Sequence, residues 1–261
     1  MAAPADPCYR SLLSTVSKEP WGIESLRLTV FWQTPDTPVV GAWLALTNEA
    51  PETQSATPRS RTVHEEGAFL GGGLVVDQSP DRADVKLMAL TGETTGEFPS
   101  LGEYGDVSGS FVTMCQTWLA KDERPVRRVA LGVVARIPAA SHQAGYERLQ
   151  EYLHDVKVSP DSSDLLYQVN RRRISTAADA VSINRLSRWA VVKQQYARFS
   201  VDPTIGTGQA VLGDASFACR CELDINTAPE SKADLERSAL VKLLSELSTL
   251  AAELLEAGDV V

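Results

Sequence analysis

The sequence lacks the features that mark several large classes of protein. No apolar run approaches the roughly 18 residues of a membrane-spanning helix. Met1 to Arg10 has no basic start followed by an apolar stretch, so a secretory signal is not expected. No serine lies in a nucleophile elbow, and the glycines at 71–73 are not placed between a strand and a helix as a phosphate loop would be. We therefore expect a cytoplasmic protein with no membrane contact and no cofactor.

Cysteine is scarce, at four residues in 261. Cys219 and Cys221 form a CxC pair, but no second Cys or His pair stands at zinc-finger spacing. Cys8 and Cys115 are isolated in the sequence. We interpret all four as buried free thiols in a reducing compartment, with a metal or redox role as the alternative.

Positive charge is in short supply overall but concentrated locally. The net charge is −9, which makes the chain a poor general binder of nucleic acid. Between Arg171 and Arg188, however, five arginines face one acid, and from Glu222 to the end nine acids face three bases. Such an asymmetry can bind an anion or a partner of complementary charge.

Hydrophobic residues make up 43% of the chain, enough for a packed core, and their spacing predicts both strands and helices. In the first half we predict strands at 24–32, 74–78 and 83–90, helices at 39–48 and 110–121, and surface loops at 49–69 and 91–109. In the second half we predict strands at 126–137, 165–174, 181–201 and 215–227, a helix at 141–153 capped by Ser141, and a break at Pro138. A last helix follows the box Ser231-x-x-Asp234 and ends at Gly258.

The two halves follow a similar order, which suggests an internal duplication. Residues 27–46 align with residues 130–149 without a gap, although the identity is low. We predict an α+β fold of two diverged β-α-β-β-α units, with mostly antiparallel sheet and helices on one face. The expected divisions are a lead-in at 1–20, a first half at 21–122, and a second half at 126–261 with an extra strand and a long C-terminal helix.

Two strands of the second half carry the densest group of polar side chains. Alternation puts Tyr167, Val169, Arg171 and Arg173 on one face of the first strand, and Gln168, Asn170 and Arg172 on the other. On the next strand it groups Arg185 with Trp189, and Asn184 with Arg188. Guanidinium groups bind carboxylate or phosphate bidentately and stack on aromatic rings. The candidate residues for binding an anion, a nucleic acid or a partner are Asn170, Arg171, Arg173, Asn184, Arg185, Arg188 and Trp189.

Two other interpretations of these residues stay open. The arginines can form internal ion pairs with the strand at 222–227, which presents Glu222, Asp224 and Asn226 on one face. Alternatively, Asp224 and Glu222 can be the paired carboxylates of a metal-dependent or hydrolytic site, although no histidine or further acid accompanies them at motif spacing. Because polarity is concentrated on these three strands, we expect the first half to serve as scaffold or partner surface.

The strands YQVNRRR (167–173) and INRLSRW (183–189) carry a resemblance to a known family, together with GGGLVVDQSPDRADV (71–85). The chain resembles an uncharacterised, sporadically distributed bacterial family with YQINRPR-like and INRLSRW-like strands. The resemblance implies a bacterial origin and supplies no reaction or ligand. Arg172 stands where the family pattern has proline, so we expect a more regular strand there.

Our leading hypothesis is a non-enzymatic interaction protein, a subunit or adaptor in a bacterial multi-protein system. The sporadic distribution implied by the resemblance points to defence against phage. A protein partner or a homo-oligomer is expected, and nucleic acid is the less favoured partner. The alternatives are an anion-binding or nucleic-acid-binding protein that uses the arginine-rich strands, and a metal-dependent enzyme that uses Asp224.

Overall fold

The computed structural model describes residues 19–38, 40–90, 97–201, 208–230 and 235–260, and has mixed helix and strand. The strands are β1 (Gly22–Trp32), β2 (Thr53–Thr57), β3 (Thr62–Phe69), β4 (Gly72–Ser79), β5 (Arg82–Met88), β6 (Val126–Ala139), β7 (Leu166–Asn170), β8 (Arg173–Ile174), β9 (Ser182–Val201) and β10 (Gly208–Thr227). The helices are α1 (Ala42–Thr47), α2 (Tyr104–Lys121), α3 (His142–Gln150) and α4 (Arg237–Ala257). Among the described residues, none of these helices is both long and apolar enough to cross a membrane.

All ten described strands form one antiparallel sheet. The strand order is β2-β3-β4-β5-β1-β6-β10-β9-β7, with β8 pairing with β9 beside β7. The first strands of the two halves, β1 and β6, are direct neighbours at its centre, paired from Gly22 with Arg136 to Trp32 with Val126. The two halves therefore share a single sheet.

Alternation along each strand gives the sheet one apolar face. Leu26, Leu28 and Val30 of β1 lie opposite buried aliphatic residues of β5 and β6, and the pattern continues through Leu223 and Ile225 of β10. These side chains form one cluster with the buried residues of all four helices. We call this side the core face and the opposite side the polar face. Burial of this apolar area is the main stabilising contribution to the fold.

Side-chain caps fix two of the helices. The Ser141 hydroxyl accepts the Ala144 N–H at 3.1 Å, which confirms the predicted N-cap of α3. At the start of α1, the buried carboxylate of Glu65 on β3 accepts the N–H groups of Gly41 (2.8 Å) and Trp43 (3.1 Å). Glu65 thus does from a distant strand what an N-cap residue does locally.

The C-terminal helix ends as predicted. Gly258 closes α4 with a φ of 84° and donates its N–H to Leu254 O at 2.9 Å. The helix-start box at 231–234 lies outside the described residues, as do residues 1–18 of the lead-in.

The predicted surface loop at 49–69 is wrong, because this segment forms the hairpin of β2 and β3. The sequence did not indicate this hairpin for two physical reasons. Every residue of β2 is exposed, so no hydrophobic alternation is present there. On β3, the core-facing position after Val63 is Glu65, a carboxylate that is buried to cap α1 rather than to contact solvent.

Three further boundaries differ from prediction. Helix α2 begins at Tyr104 rather than near residue 110, because the buried ring of Tyr104 and its hydroxyl bond to Ser248 anchor a glycine-containing first turn.

Pro138 lies inside β6 instead of ending it. The pairing of β6 with β1 stops at Arg136, so beyond that residue β6 pairs with β10 alone. A proline, which has no backbone N–H, is tolerated on the unpaired side. The strand at 165–174 is interrupted at residues 171–172, so the more regular strand expected there is wrong.

Each half contains more strands than the predicted unit. The order is β-α-β-β-β-β-α in both, from β1 to α2 and from β6 to α4. The internal duplication, and the placing of every helix on one face, stay predictions.

Replacement of Glu65 by alanine is expected to lower the free energy of unfolding by about 2–3 kcal/mol, because two buried backbone N–H groups lose their acceptor. The measurement is urea-induced unfolding. Glu66→Ala is the matched control, since the Glu66 side chain is 47% exposed and its contacts with Thr53 (3.0 Å) and His64 (3.3 Å) lie at the surface, so it should change stability by less than about 0.5 kcal/mol. Equal effects of the two changes would show that the remote cap is not needed.

Candidate functional site

A groove of about 410 Å³ crosses the polar face of the sheet. Six strands line it, from β5 through β1, β6, β10 and β9 to β7. The pairing register arranges its side chains in two rows that run across the strands. The first row is Lys86, Arg27, Gly132, Asp224 and Leu186; the second is Met88, Ser25, Val134, Glu222, Arg188 and Gln168.

Arg27 is the central cation of the groove. Its guanidinium lies over Gly132, where an added Cβ would be 3.4 Å from both Nε and Nη2. The Nε is buried and makes no hydrogen bond to the described residues, and no carboxylate of the described chain lies within 4 Å of the side chain. An arginine without a counter-charge in a concave site is a ready partner for an external carboxylate or phosphate.

The other charges of the groove have partners within the sheet. Lys86 Nζ donates to Asp77 Oδ2 at 3.0 Å. Glu222 forms an ion pair with Arg220 and lies 4.0 Å from Arg188 Nη1.

Asp224 is the anionic counterpart of Arg27 across Gly132. Its Oδ1 accepts the amide of Asn226 at 3.0 Å, and its neighbours in the ladder are Gly132 and Leu186. The first row therefore presents a cation, which lies over Gly132, beside an anion on the next strand. A ligand that carries both signs of charge can contact both.

Three asparagines form a ladder beside the groove. The Asn170 amide donates to Asn184 Oδ1 (3.1 Å), and the Asn184 amide donates to Asn226 Oδ1 (3.0 Å). Arg172 and Arg128 each donate to this ladder, at 2.8 and 2.9 Å. Asn170 and Asn184, both predicted site residues, therefore link β7, β9 and β10 on the polar face.

Two further predicted residues, Arg171 between β7 and β8 and Arg173 of β8, point towards the C-terminal segment. Arg171 donates to the buried carboxylate of Asp259 at 2.7 and 2.8 Å and to Asp155 at 2.9 Å. Tyr167 also donates to Asp259, at 2.5 Å. The hydrogen bonds from Arg171 hold the pKa of Asp259 below its usual value. Arg173 donates to Glu253 of α4 at 2.8 Å.

Arg185 and Trp189 are buried on the core face of β9. Trp189 stacks on Tyr152 with ring centroids 5.8 Å apart. Arg185 is 1% exposed, and its nearest carboxylate is Glu253 at 3.6 Å. Burial, reinforced by the charge of Arg173, lowers the pKa of Arg185. These two side chains hold the sheet against the helices.

The seven candidate residues are therefore divided between two faces. Only Arg188 lines the groove, with Asn170 and Asn184 beside it, whereas the other four lie on the core side. The alternation within each strand was predicted as the structure has it. The internal ion pairs exist, but their acids come mainly from the C-terminal segment (Glu253 and Asp259) and not from β10.

The sequence interpretation missed Arg27 and Lys86, which come from the first half. That half therefore supplies cations to the groove as well as scaffold. The alternation of β1 does place Arg27 with Ser25 and Thr29 on the non-core face. What the sequence did not reveal is that β1 and β10 are separated by β6 alone.

Neither a metal site nor a redox-active cysteine pair is supported by the described residues. No group of three or more His, Cys, Asp or Glu residues arranged to hold a metal ion occurs within the described residues. Cys115, Cys219 and Cys221 are buried free thiols, and burial raises the pKa of Cys219 to about 12. Cys8 lies outside the described residues.

No protein-family model matches the chain, and a search of curated proteins found no match. The resemblance to the uncharacterised bacterial family stays a prediction.

The ion pair of Asp259 with Arg171 should make stability depend on pH. A carboxylate whose pKa is lowered on folding contributes stability above its unfolded pKa of about 3.9, and this contribution is lost as the pH falls through the folded pKa. Asp259→Asn should therefore cost about 2 kcal/mol at neutral pH. The measurement is urea unfolding at successive pH values. The difference in the free energy of unfolding between Asp259→Asn and the unchanged protein should shrink below about pH 4.

Asp155→Asn is the matched control for this prediction. Asp155 contacts the same arginine, but its side chain is 63% exposed, so its loss should be nearly neutral at every pH. If the free energies of unfolding of Asp259→Asn and the unchanged protein differed by a constant amount down to about pH 2, the stabilising role of the Asp259 carboxylate would be contradicted.

Proposed function

We propose that this chain is a non-enzymatic interaction protein whose polar-face groove binds an extended segment of a partner protein. The segment places a carboxylate on Arg27 and a basic side chain on Asp224. The observation that carries the proposal is the guanidinium of Arg27, which has no carboxylate partner among the described residues and lies over Gly132, beside Asp224 of the next strand.

The spacing of the strands specifies the partner further. The Arg27 guanidinium lies over Gly132, so it is one strand away from Asp224, about 5 Å at the usual interstrand distance. Side chains of an extended peptide alternate between two faces and rise about 3.3 Å per residue, so an acidic and a basic residue two positions apart point to the same face and match the two charges. The aliphatic side chains of Val134, Leu186 and Met88 provide an apolar surface for the neighbouring residues of the segment.

Nucleic acid suits the same groove less well. Asp224 and Glu222 would face the phosphates, and both lie beside the cations that would have to bind them. A ligand with charges of both signs satisfies Arg27 and Asp224 together. The place of the protein in a bacterial multi-protein system, or in defence against phage, rests on the family resemblance alone.

The test is a calorimetric titration with a blocked heptapeptide that carries one glutamate and, two residues on, one lysine, so that both side chains point to the same face. We expect Arg27→Met to weaken binding about tenfold or more, because the counter-ion of the glutamate is lost while the aliphatic stem remains. Arg127→Met is the matched control: Arg127 is exposed on β6 outside the groove, and its loss should leave binding unchanged. The proposal would be contradicted if Arg27→Met and Arg127→Met bound the peptide equally well. It would also be contradicted if the protein bound single-stranded DNA as tightly as it binds the peptide.

A second variant tests whether the peptide needs the Arg27 guanidinium at its place over Gly132. Gly132→Val adds a β-branched side chain to a strand position with ordinary backbone geometry, where the three atoms nearest to the added Cβ all belong to Arg27, so the valine displaces the guanidinium. We expect a folded protein with the same thermal midpoint within a few degrees and no measurable binding of the heptapeptide. Unchanged binding would show that the peptide does not depend on the guanidinium at this place.

A further inference from the structure

Arg185 carries a charge inside the protein without a hydrogen bond to stabilise it. Its side chain is 0% exposed on the core face of β9. The Nε, Nη1 and Nη2 atoms are all buried, and none of them makes a hydrogen bond to the described residues. Burial of a guanidinium in this state is costly, because the group loses its hydration and receives nothing in exchange. The fold therefore calls for a partner of Arg185 that is not among these residues.

The carboxylates nearest to Arg185 already bind two other arginines. Glu253 Oε2 lies 3.6 Å from Arg185 Nη2, beyond hydrogen-bond distance, and the same oxygen accepts from Arg173 Nη1 at 2.8 Å. Both oxygens of Asp259 accept from Arg171, at 2.7 and 2.8 Å. Three guanidinium groups thus share these two carboxylates, and the one that is fully buried is the one left without a bond.

Two further sets of neighbours leave the charge of Arg185 unbalanced. Asp155 contacts the cluster from solvent: its side chain is 63% exposed and its ion pair is with Arg171, so water screens its charge. Ser187 and Trp189, the next residues on the same face of β9, are buried, and their polar side-chain atoms also make no hydrogen bond to the described residues. An indole N–H only donates and a hydroxyl can donate, so this face of β9 presents donors, which suit an anion.

We propose that Arg185 binds a small monovalent anion such as chloride, beneath the ion pair of Arg173 with Glu253. One negative charge balances the one guanidinium that lacks a bond. The anion is small because the Arg185 side chain has no exposed surface at which a larger ligand could bind. It can enter past the ion pair, whose two side chains are 37% and 39% exposed. This site lies on the opposite face of the sheet from the groove and does not rest on the proposed binding function.

Thermal unfolding at constant ionic strength tests the site, with sodium gluconate replaced stepwise by sodium chloride up to about 300 mM. Gluconate is too large for a closed site. For a dissociation constant of about 10 mM, chloride should raise the thermal midpoint by about 4–8 °C, and the rise should saturate. Arg185→Met should remove the rise, and it should fold because a buried charge can be replaced by an apolar side chain of similar length. Arg188→Met is the matched control: Arg188 belongs to the same strand, is 48% exposed on the polar face, and should keep the rise.

A second variant tests the site even if Arg185→Met does not fold. Glu253→Gln removes the carboxylate that repels the anion, so chloride should bind about threefold more tightly or better. Line broadening of the chlorine-35 NMR signal measures this affinity without unfolding the protein.

Three results would overturn the inference. The first is a midpoint that is the same in chloride and gluconate, as expected if a water molecule satisfies Arg185. The second is a chloride effect that a folded Arg185→Met variant retains or that Arg188→Met removes. The third is a chloride affinity that Glu253→Gln lowers or leaves unchanged.

Discussion

The antiparallel pairing of β1 with β6 joins the two halves of the chain in one sheet. Because of this pairing, the core-facing residues of both halves belong to a single hydrophobic cluster. The same pairing creates the candidate site, since Arg27 comes from β1, Gly132 from β6 and Asp224 from β10 on its far side. The groove that contains Arg27 and Asp224 thus lies where the two halves meet.

Alternation along β9 decides which arginines are available to a ligand. Arg185 and Arg188 are three residues apart and therefore point to opposite faces. The first is enclosed beneath α4 near Glu253, whereas the second lines the groove. On the core side, Arg171 between β7 and β8 bonds Asp259, and Arg173 of β8 bonds Glu253. An acidic chain thus uses some of its arginines to hold the fold together and leaves others exposed on the polar face.

Much of the fold could be predicted from the sequence because it depends on local patterns. The strands with regular alternation, such as β1 and β9, and the Ser141 and Gly258 caps were predicted correctly. The hairpin of β2 and β3 was not, because Glu65 is a buried acid whose partners lie on another element. The groove could not be predicted for a related reason. Its residues are far apart in the chain, and the order of strands in a sheet leaves no trace in local spacing.

The most direct test of this two-faced sheet is arginine footprinting of the folded protein. A dicarbonyl reagent that modifies exposed guanidinium groups is applied, and the rate at each arginine is read by mass spectrometry. The structure predicts rapid modification of Arg188, whose side chain is 48% exposed, and none of Arg185, whose side chain is fully buried, until the protein is unfolded. Equal rates at Arg185 and Arg188 in the folded protein would contradict the division of the arginines between a closed core face and an open polar face.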